Sequence, residues 1–199
     1  MNFQKYLAEM LGAFALTLGV YLSLSLGMPL ATPFVAALIL GLGVYTLGPI
    51  SGAHFNPAIS IAMAGVKKLK WEVAFFYVIS QFVGALLAMY FADFMMSGGG
   101  VDLTAGNDLK IGIAEALGAG VLAFGVAAAT YKKVHEAASG ITVAWSLLLG
   151  ILLSSGFSNG IVNPAVALGL GSLSYMYVLG PIVGAFLAAR LYKYLAGAK

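Results

Sequence analysis

Cysteine, histidine and charge are scarce in this sequence. Its 199 residues include no cysteine, so the chain can form no disulfide and offers neither a thiol nucleophile nor a thiolate metal ligand. Two histidines are too few for a histidine-rich metal centre. No nucleophile, base and orienting group occur in an arrangement typical of a catalytic site. We therefore expect neither an enzyme nor a bound cofactor or metal.

Charged residues make up only 9% of the chain, whereas an average soluble domain has about 25%. Hydrophobic residues account for 61%, and the mean hydropathy is +0.99. Ten basic and seven acidic side chains are too few to cover the surface of a soluble globule of this length. The basic residues are scattered between apolar runs, which argues against nucleic acid as a partner. The composition predicts an integral membrane protein.

Long apolar runs predict the membrane-spanning helices, since a helix needs about 20 apolar residues to cross the hydrocarbon core. Six such runs are present: Tyr6–Leu26, Leu30–Leu47, Trp71–Met95, Lys110–Tyr131, Ser139–Ser155 and Ser174–Leu195. Two shorter apolar segments, Pro57–Val66 and Pro164–Gly171, would reach only about half of that thickness as helices. We predict an all-α membrane protein with six transmembrane helices and two re-entrant half-helices.

Basic residues fall on one side of this six-span arrangement. They are Lys5, Lys67, Lys68, Lys70, Lys132, Lys133, Arg190, Lys193 and Lys199. Because basic residues are enriched in cytoplasmic loops, we expect both termini on the cytoplasmic side. The opposite side holds Asp93, Asp102 and Asp108 and a single lysine, Lys110, and its longest loop is Ser97–Asn107. No cleavage site follows the first run, so we expect a multi-pass protein of the cytoplasmic (inner) membrane.

Three segments of the chain recur in the same order. Ala8–Ala13 recurs with one difference as Ala114–Ala119, Asn56–Ala58 recurs as Asn163–Ala165, and Val83–Ala85 recurs as Val183–Ala185. Three spans separate the two copies, and an odd number of crossings inverts the second copy. We therefore expect one membrane domain over residues 1–199, built from inverted halves at about 1–96 and 108–199. Such folds place their pathway near the membrane midplane, where the broken helices point.

Each short segment begins with Asn-Pro, a strong start signal for a helix, because Asn caps the N-terminus and Pro suits the first helical position. If the second copy is inverted, the two N-termini meet near the bilayer centre, and the positive ends of their dipoles oppose cations there. Each Asn amide can donate a hydrogen bond into the lumen. The pair therefore favours an uncharged hydroxylic molecule and disfavours protons and sodium.

The Asn-Pro segments and their surroundings resemble the aquaporin and glycerol-facilitator family, the major intrinsic proteins. The resemblance rests on Ser51–Ala58, Val162–Ala165, Glu9, Glu115, Gln81 and Gly180–Gly184, and it covers essentially the whole chain. It implies a right-handed aquaporin-like bundle, assembled as a homotetramer in the lipid bilayer, with one pore per subunit that conducts water or small neutral solutes passively. The residues that it assigns to the paired pore loops are Asn56, Pro57, Ala58, Asn163, Pro164 and Ala165.

The selectivity filter departs from the family pattern. Most members have an arginine after the second Asn-Pro-Ala, where this chain has Val166. The family's spacing assigns two further filter positions to Ile151 and Gly160. The fourth position is Ala36 if the alignment with the family has no gap and Leu40 if it has one, and we prefer Leu40. Such a filter has no charged donor, so we expect it to be wider and drier than a water filter. An ordinary water channel, a wider pore for glycerol, urea or dissolved gases, and a poor conductor are the alternatives.

Ionisable groups inside the membrane have two interpretations. Glu9 and Glu115 are expected to accept backbone N–H groups and hold the loop before each half-helix, with a proton relay as the alternative. His54 is expected to support its loop, with a pH-sensitive gate as the alternative. A secondary transporter would need a coupling site at these acids. A non-conducting membrane scaffold of the same fold is the other competing hypothesis.

Overall fold

The structure, a computed structural model, describes residues 3–97 and 100–197. Every element within these ranges is helical, which confirms the all-α prediction. The elements are α1 (Phe3–Ser25), α2 (Thr32–Thr46), α3 (Gly48–Ser51), α4 (Pro57–Gly65), α5 (Trp71–Met95), α6 (Leu109–Thr130), α7 (Glu136–Ser154), α8 (Pro164–Gly169) and α9 (Tyr175–Leu195). Lys199 and part of the predicted outer loop lie outside the described residues.

Five of these helices, α1, α5, α6, α7 and α9, are long and apolar enough to cross a membrane. Helix α2 has 15 residues and is shorter than the span predicted from Leu30 to Leu47. It ends at Thr46 because Pro49 has no N–H to donate to the carbonyl of Tyr45. The four-residue α3 follows directly, since the N–H of Ser51 donates to the carbonyl of Leu47 at 3.0 Å. The predicted second span therefore corresponds to α2 alone, and α3 lies just beyond its predicted end.

The two short helices predicted from the Asn-Pro pairs are confirmed. Helix α4 has nine residues and α8 has six, and both begin at the proline. At about 1.5 Å per residue, neither is long enough to cross a bilayer. Most of their residues are buried inside the bundle. They are interior elements that carry their N-termini into the middle of the protein.

Glycines allow the long helices to approach closely. A Cβ atom at Gly84 of α5 would overlap the carbonyl oxygen of Met10 on α1. A Cβ atom at Gly184 of α9 would overlap the carbonyl oxygen of Ala116 on α6. A Cβ atom at Gly180 of α9 would overlap the carbonyl oxygen of Gly112, also on α6. Small residues at such crossings let backbones pack without intervening side chains. The pairs α1 with α5 and α6 with α9 are therefore equivalent in the two halves of the chain.

Large apolar side chains remain exposed on the outer faces of the long helices. Examples are Phe75, Leu87, Leu117, Trp145 and Leu187. In a soluble protein such a surface would be an aggregation hazard, whereas in a bilayer it contacts hydrocarbon. The buried polar side chains, in contrast, are concentrated near the two short helices.

Candidate pore site

Asn56 and Asn163 occupy the same position at the starts of α4 and α8. Both have extended backbone conformations, and both use the side-chain Oδ1 as a cap. Asn56 Oδ1 accepts from the N–H of Ala58 at 2.9 Å, and Asn163 Oδ1 accepts from the N–H of Ala165 at 3.0 Å. These bonds satisfy backbone donors that the first helical turn leaves free.

The two asparagines also link the halves of the chain crosswise. Asn56 Nδ2 donates to the carbonyl of Val162 at 3.0 Å, and Asn163 Nδ2 donates to the carbonyl of Phe55 at 2.9 Å. Each amide nitrogen carries two hydrogens, so one hydrogen on each remains for another acceptor. The crosswise bonds hold the N-termini of α4 and α8 against each other. They were not foreseen from the sequence, which predicted only donation into the lumen.

Glu9 organises the loop before α4. Its Oε1 accepts from Ser51 Oγ at 2.6 Å and from the N–H of His54 at 3.0 Å, and its Oε2 accepts from the N–H of Phe55 at 2.7 Å. Gln81 Nε2 donates to the same Oε2 at 2.7 Å. The carboxyl group is fully buried. Four donors on one carboxylate meet the requirement that a buried anion be hydrogen-bonded.

Glu115 plays the same part for the loop before α8. It accepts from Ser158 Oγ at 2.7 Å, from the N–H of Ile161 at 3.0 Å and from the N–H of Val162 at 2.6 Å. At the position equivalent to Gln81 the second copy has Pro181, which has no side-chain donor. The second carboxylate therefore has one fewer side-chain donor than the first.

The loops held by these glutamates have left-handed backbone conformations at equivalent residues. The φ values are 50° at Ala53 and 48° at Phe55 in the first loop, and 63° at Gly160 and 50° at Val162 in the second. A non-glycine residue in this region costs about 1 kcal/mol or more. The carboxylate bonds to consecutive N–H groups offset that cost and impose the loop shape.

Each loop also inserts one side chain between two helices. The ring of Phe55 fills the space that a Cβ atom would need at Gly12 on α1 and at Gly43 on α2. Val162 packs in the same way against Gly118 of α6, beside Gly150 of α7. Because Gly12 and Gly118 belong to the repeated segment, the sequence repeat encodes this pair of slots.

His54 lies next to the first asparagine and is almost completely buried. Its Nδ1 is 3.1 Å from Ser60 Oγ, which in turn accepts from Gln81 Nε2 at 2.9 Å. The ring packs edge to face against Tyr77, with centroids 5.6 Å apart. His54 is thus joined through Ser60 and Gln81 to the Glu9 carboxylate.

A cavity of about 260 Å³ collects most of the residues predicted for the pore. Its lining includes the predicted filter residues Leu40, Ile151, Gly160 and Val166, together with Asn56, Asn163 and His54. Ala36, the alternative to Leu40, lines it as well. The other loop residues Pro57, Ala58, Pro164 and Ala165 are buried and do not line the cavity, and the same holds for Glu9 and Glu115. The structure therefore separates residues that face the cavity from residues that support its wall.

Several lining residues were not identified from the sequence. Leu16 and Leu122 occupy equivalent positions in α1 and α6, and Leu147 is the equivalent of Leu40, so the repeat could have revealed them. Leu103 could not have been found this way, because it lies in the irregular segment before α6, residues 100–108. Its N–H donates to the carbonyl of Leu170 at 2.9 Å, which holds the segment over the cavity.

Comparison with known proteins agrees with this geometry. Residues 1–192 match the major intrinsic protein family. The chain is 31% identical to aquaporin NIP1-1 of Zea mays, over 96% of this chain and 74% of the relative. It is also 31% identical to glycerol uptake facilitator protein-like 6 of Lactiplantibacillus plantarum, over 94% and 95% of the two chains.

The fold has a counterpart among solved structures. The aquaglyceroporin from Plasmodium falciparum superposes with a TM-score of 0.75 and 17% identity, over 99% of each chain. At that identity the likeness concerns the fold alone. The resemblance predicted from the Asn-Pro-Ala loops is confirmed by the family match. The chain belongs to the major intrinsic protein family.

Proposed function

We propose that this protein is a passive membrane channel for water and small uncharged solutes. The observation that carries the proposal is the crosswise asparagine pair at the cavity, where each amide retains one hydrogen for a passing molecule. Membership of the major intrinsic protein family supports it, as do the names of the related aquaporin and glycerol uptake facilitator. A passive pore of this kind has no catalytic step, and we assign no catalytic residue.

Asn56 and Asn163 are the proposed donors to the permeating molecule. Pro57 and Pro164 start the half-helices, and the N–H groups of Ala58 and Ala165 fix the asparagine side chains. The N-termini of α4 and α8 meet here, so their partial positive charges oppose cations. Neutral molecules that accept a hydrogen bond can pass, whereas protons and metal cations are repelled.

Leu40, Ile151, Gly160 and Val166 are the proposed filter. All four line the cavity, and none has a charged or strongly polar side chain. Ala36 lines the same wall and contributes to it with less bulk. Without a guanidinium group the filter is expected to be wider and drier than one with arginine at Val166.

Glu9, Glu115 and His54 are proposed to support the loops. The donors on each carboxylate come from the loop before its own half-helix, with Gln81 added in the first half. A proton relay would need these acids to exchange protons with the lumen, and they do not line the cavity. The same argument counts against an ion-coupled transporter.

The remaining parts of the proposal concern assembly and placement. Two inverted halves at about 1–96 and 108–199 form one channel domain. We propose a homotetramer in the cytoplasmic membrane, with both termini in the cytoplasm. The exposed apolar faces of the long helices support burial in lipid and against neighbouring subunits, and the clustering of lysines on one side supports the orientation.

Stopped-flow light scattering on proteoliposomes tests the proposal. Shrinkage after a sucrose jump should be faster with protein than in empty liposomes, and Asn163→Leu should remove the difference. Asn107→Leu, an exposed exchange outside the cavity, is the matched control and should leave it intact. Normal reconstitution and subunit assembly of each variant must be verified. Wild-type shrinkage no faster than in empty liposomes, with assembly intact, would overturn the channel in favour of a scaffold.

A wider pore for glycerol or urea is the second candidate, because the filter is aliphatic and lacks the arginine. Re-swelling of the same vesicles after a glycerol jump measures this activity. If the missing arginine widens the filter, Val166→Arg should abolish re-swelling while sucrose-driven shrinkage persists. Equal glycerol permeability in wild type and Val166→Arg would contradict that role for residue 166.

A further inference from the structure

The cavity has an aliphatic wall between two polar ends. At one end are Thr32, which starts α2, and Ser155 and Asn159, which follow α7. At the other end are the starts of the half-helices. Between them the lining side chains are hydrocarbon: Leu16, Val20, Ala36, Leu40, Leu122, Leu147, Ile151, Val166 and Leu170. A solute in the cavity therefore finds polar side chains at its two ends.

At the end of the cavity formed by Thr32, Ser155 and Asn159, the side-chain hydrogen-bond donors already have partners within the protein. The two hydrogens of Asn159 Nδ2 are used by the carbonyl of Thr104 at 3.3 Å and by Ser172 Oγ at 2.8 Å. Ser155 Oγ donates to the carbonyl of Ile151 at 2.6 Å. Ser23 Oγ donates its single hydrogen to the carbonyl of Val20 at 2.8 Å, so the 3.0 Å contact between Ser23 and Thr32 uses the hydroxyl hydrogen of Thr32.

The backbone N–H groups that line the cavity also donate to acceptors within the protein. The N–H of Gly160 donates to Ser158 Oγ and the N–H of Ile161 donates to Glu115, both at 3.0 Å. Lining residues within the helices use their N–H groups in the helical hydrogen bonds. Along the aliphatic wall, the described residues thus offer no free donor to a solute.

Free hydrogen-bond donors are concentrated at the other end of the cavity, where α4 and α8 begin. Asn56 and Asn163 each keep one amide hydrogen, since the other is used in the crosswise bonds. Ser60 accepts from Gln81, so its own hydrogen can point to His54 Nδ1, which leaves the ring hydrogen on Nε2. A solute oxygen can be satisfied here and not in the middle of the cavity.

We propose that the solutes preferred besides water have one polar end and an apolar body, and that the channel therefore favours 1,2-propanediol over glycerol. The two molecules differ by one hydroxyl. The third hydroxyl of glycerol would lie against the aliphatic wall, where its oxygen finds no donor even if a carbonyl accepts its hydrogen. A buried polar group without a partner is disfavoured. The inference rests on the proposed function and names the solute class of the same site.

Proteoliposome re-swelling after diol and glycerol jumps tests the inference, with the rate in empty liposomes subtracted for each solute. The protein-dependent permeability to 1,2-propanediol should exceed that to glycerol about tenfold, the effect expected from one unsatisfied hydroxyl. Equal permeabilities, or a preference for glycerol, would overturn the inference. Water flux in the same vesicles distinguishes this result from failure of the proposed function, which would abolish water flux too.

Val166→Thr adds a hydroxyl to the wall at nearly constant volume, and Ile151→Thr adds one from α7. Each should lower the ratio of diol to glycerol permeability several-fold, because glycerol gains a partner. Val183→Thr is the matched control, since Val183 is half exposed on α9 outside the cavity, and it should leave the ratio unchanged. An unchanged ratio in both wall variants, with water flux retained, would show that the wall does not set the preference.

Discussion

Single residues decide the shape of the pore loops. Glu9 and Glu115 each bind consecutive N–H groups of a loop whose backbone is partly left-handed. The second carboxylate lacks the glutamine donor that the first receives from Gln81. The two loops therefore depend on their glutamates to different degrees, although their backbones are alike.

Glu115→Gln should destabilise the protein and lower its water permeability. The amide that replaces one carboxylate oxygen places N–H groups opposite the donors of Ile161 or Val162, so a buried donor loses its acceptor. The expected loss is about 2 kcal/mol, measured as a lower midpoint of thermal unfolding in detergent. Glu72→Gln, on the exposed start of α5, should have little effect. Intact stability with water flux unchanged would contradict the support role.

At the scale of helices, packing depends on glycines that meet carbonyl oxygens. Gly184 faces Ala116 so closely that even a methyl group has no room. The neighbouring atom is backbone, so it cannot move aside as a flexible side chain would. The close approach of α6 and α9 at this point therefore requires glycine at position 184.

Gly184→Ala should cost about 1–3 kcal/mol, because overpacking forces the two helices apart. Gly156→Ala is the matched control, since a Cβ atom there would meet nothing within 4 Å. Thermal unfolding of both purified variants compares them directly. Equal unfolding midpoints would mean that the helices separate without penalty.

The segment before α6 also acts as an element, although it has no regular structure. It is tied to the second half by bonds from Leu103 to Leu170 and from Ser174 to Gly106. We predict that Leu103→Ala opens the cavity and raises glycerol permeability several-fold, because an aliphatic side chain leaves its lining. Its backbone bond is retained in the variant.

Glycerol re-swelling of proteoliposomes checks this prediction, with Leu173→Ala as the control. Leu173 is an exposed leucine in the loop after α8 and does not line the cavity. An identical increase in both variants would indicate general loosening of the loops rather than a role for Leu103 in the pathway.

At the scale of the whole molecule, the proposed orientation can be tested because the chain has no cysteine. A single introduced cysteine is then the only site for a thiol reagent. In intact cells, a membrane-impermeant maleimide should label Asn107→Cys and should not label Lys133→Cys. Both positions are exposed in the structure. Labelling of residue 133 alone would reverse the orientation, and labelling of both before permeabilisation would invalidate the assay.

Much of the fold could be predicted from local signals. Asn56 and Asn163 cap helices that start at the next residue, and this depends on neighbouring residues only. Apolar run length predicted most of the spans. The break after α2 also has a local signal, Pro49, and the predicted run ends at Leu47, one residue beyond the end of α2.

The sequence by itself determined the membrane class, the family, the two half-helices and their repeat, because composition, run length and capping act within a few turns of chain. Tertiary structure decided the rest. The crosswise bonds of Asn56 and Asn163, the position of Leu103 and the inclusion of both Ala36 and Leu40 in the lining depend on residues far apart in the chain. Which donors stay free for a solute follows from those contacts, since a side chain's available hydrogens are known only when its partners are.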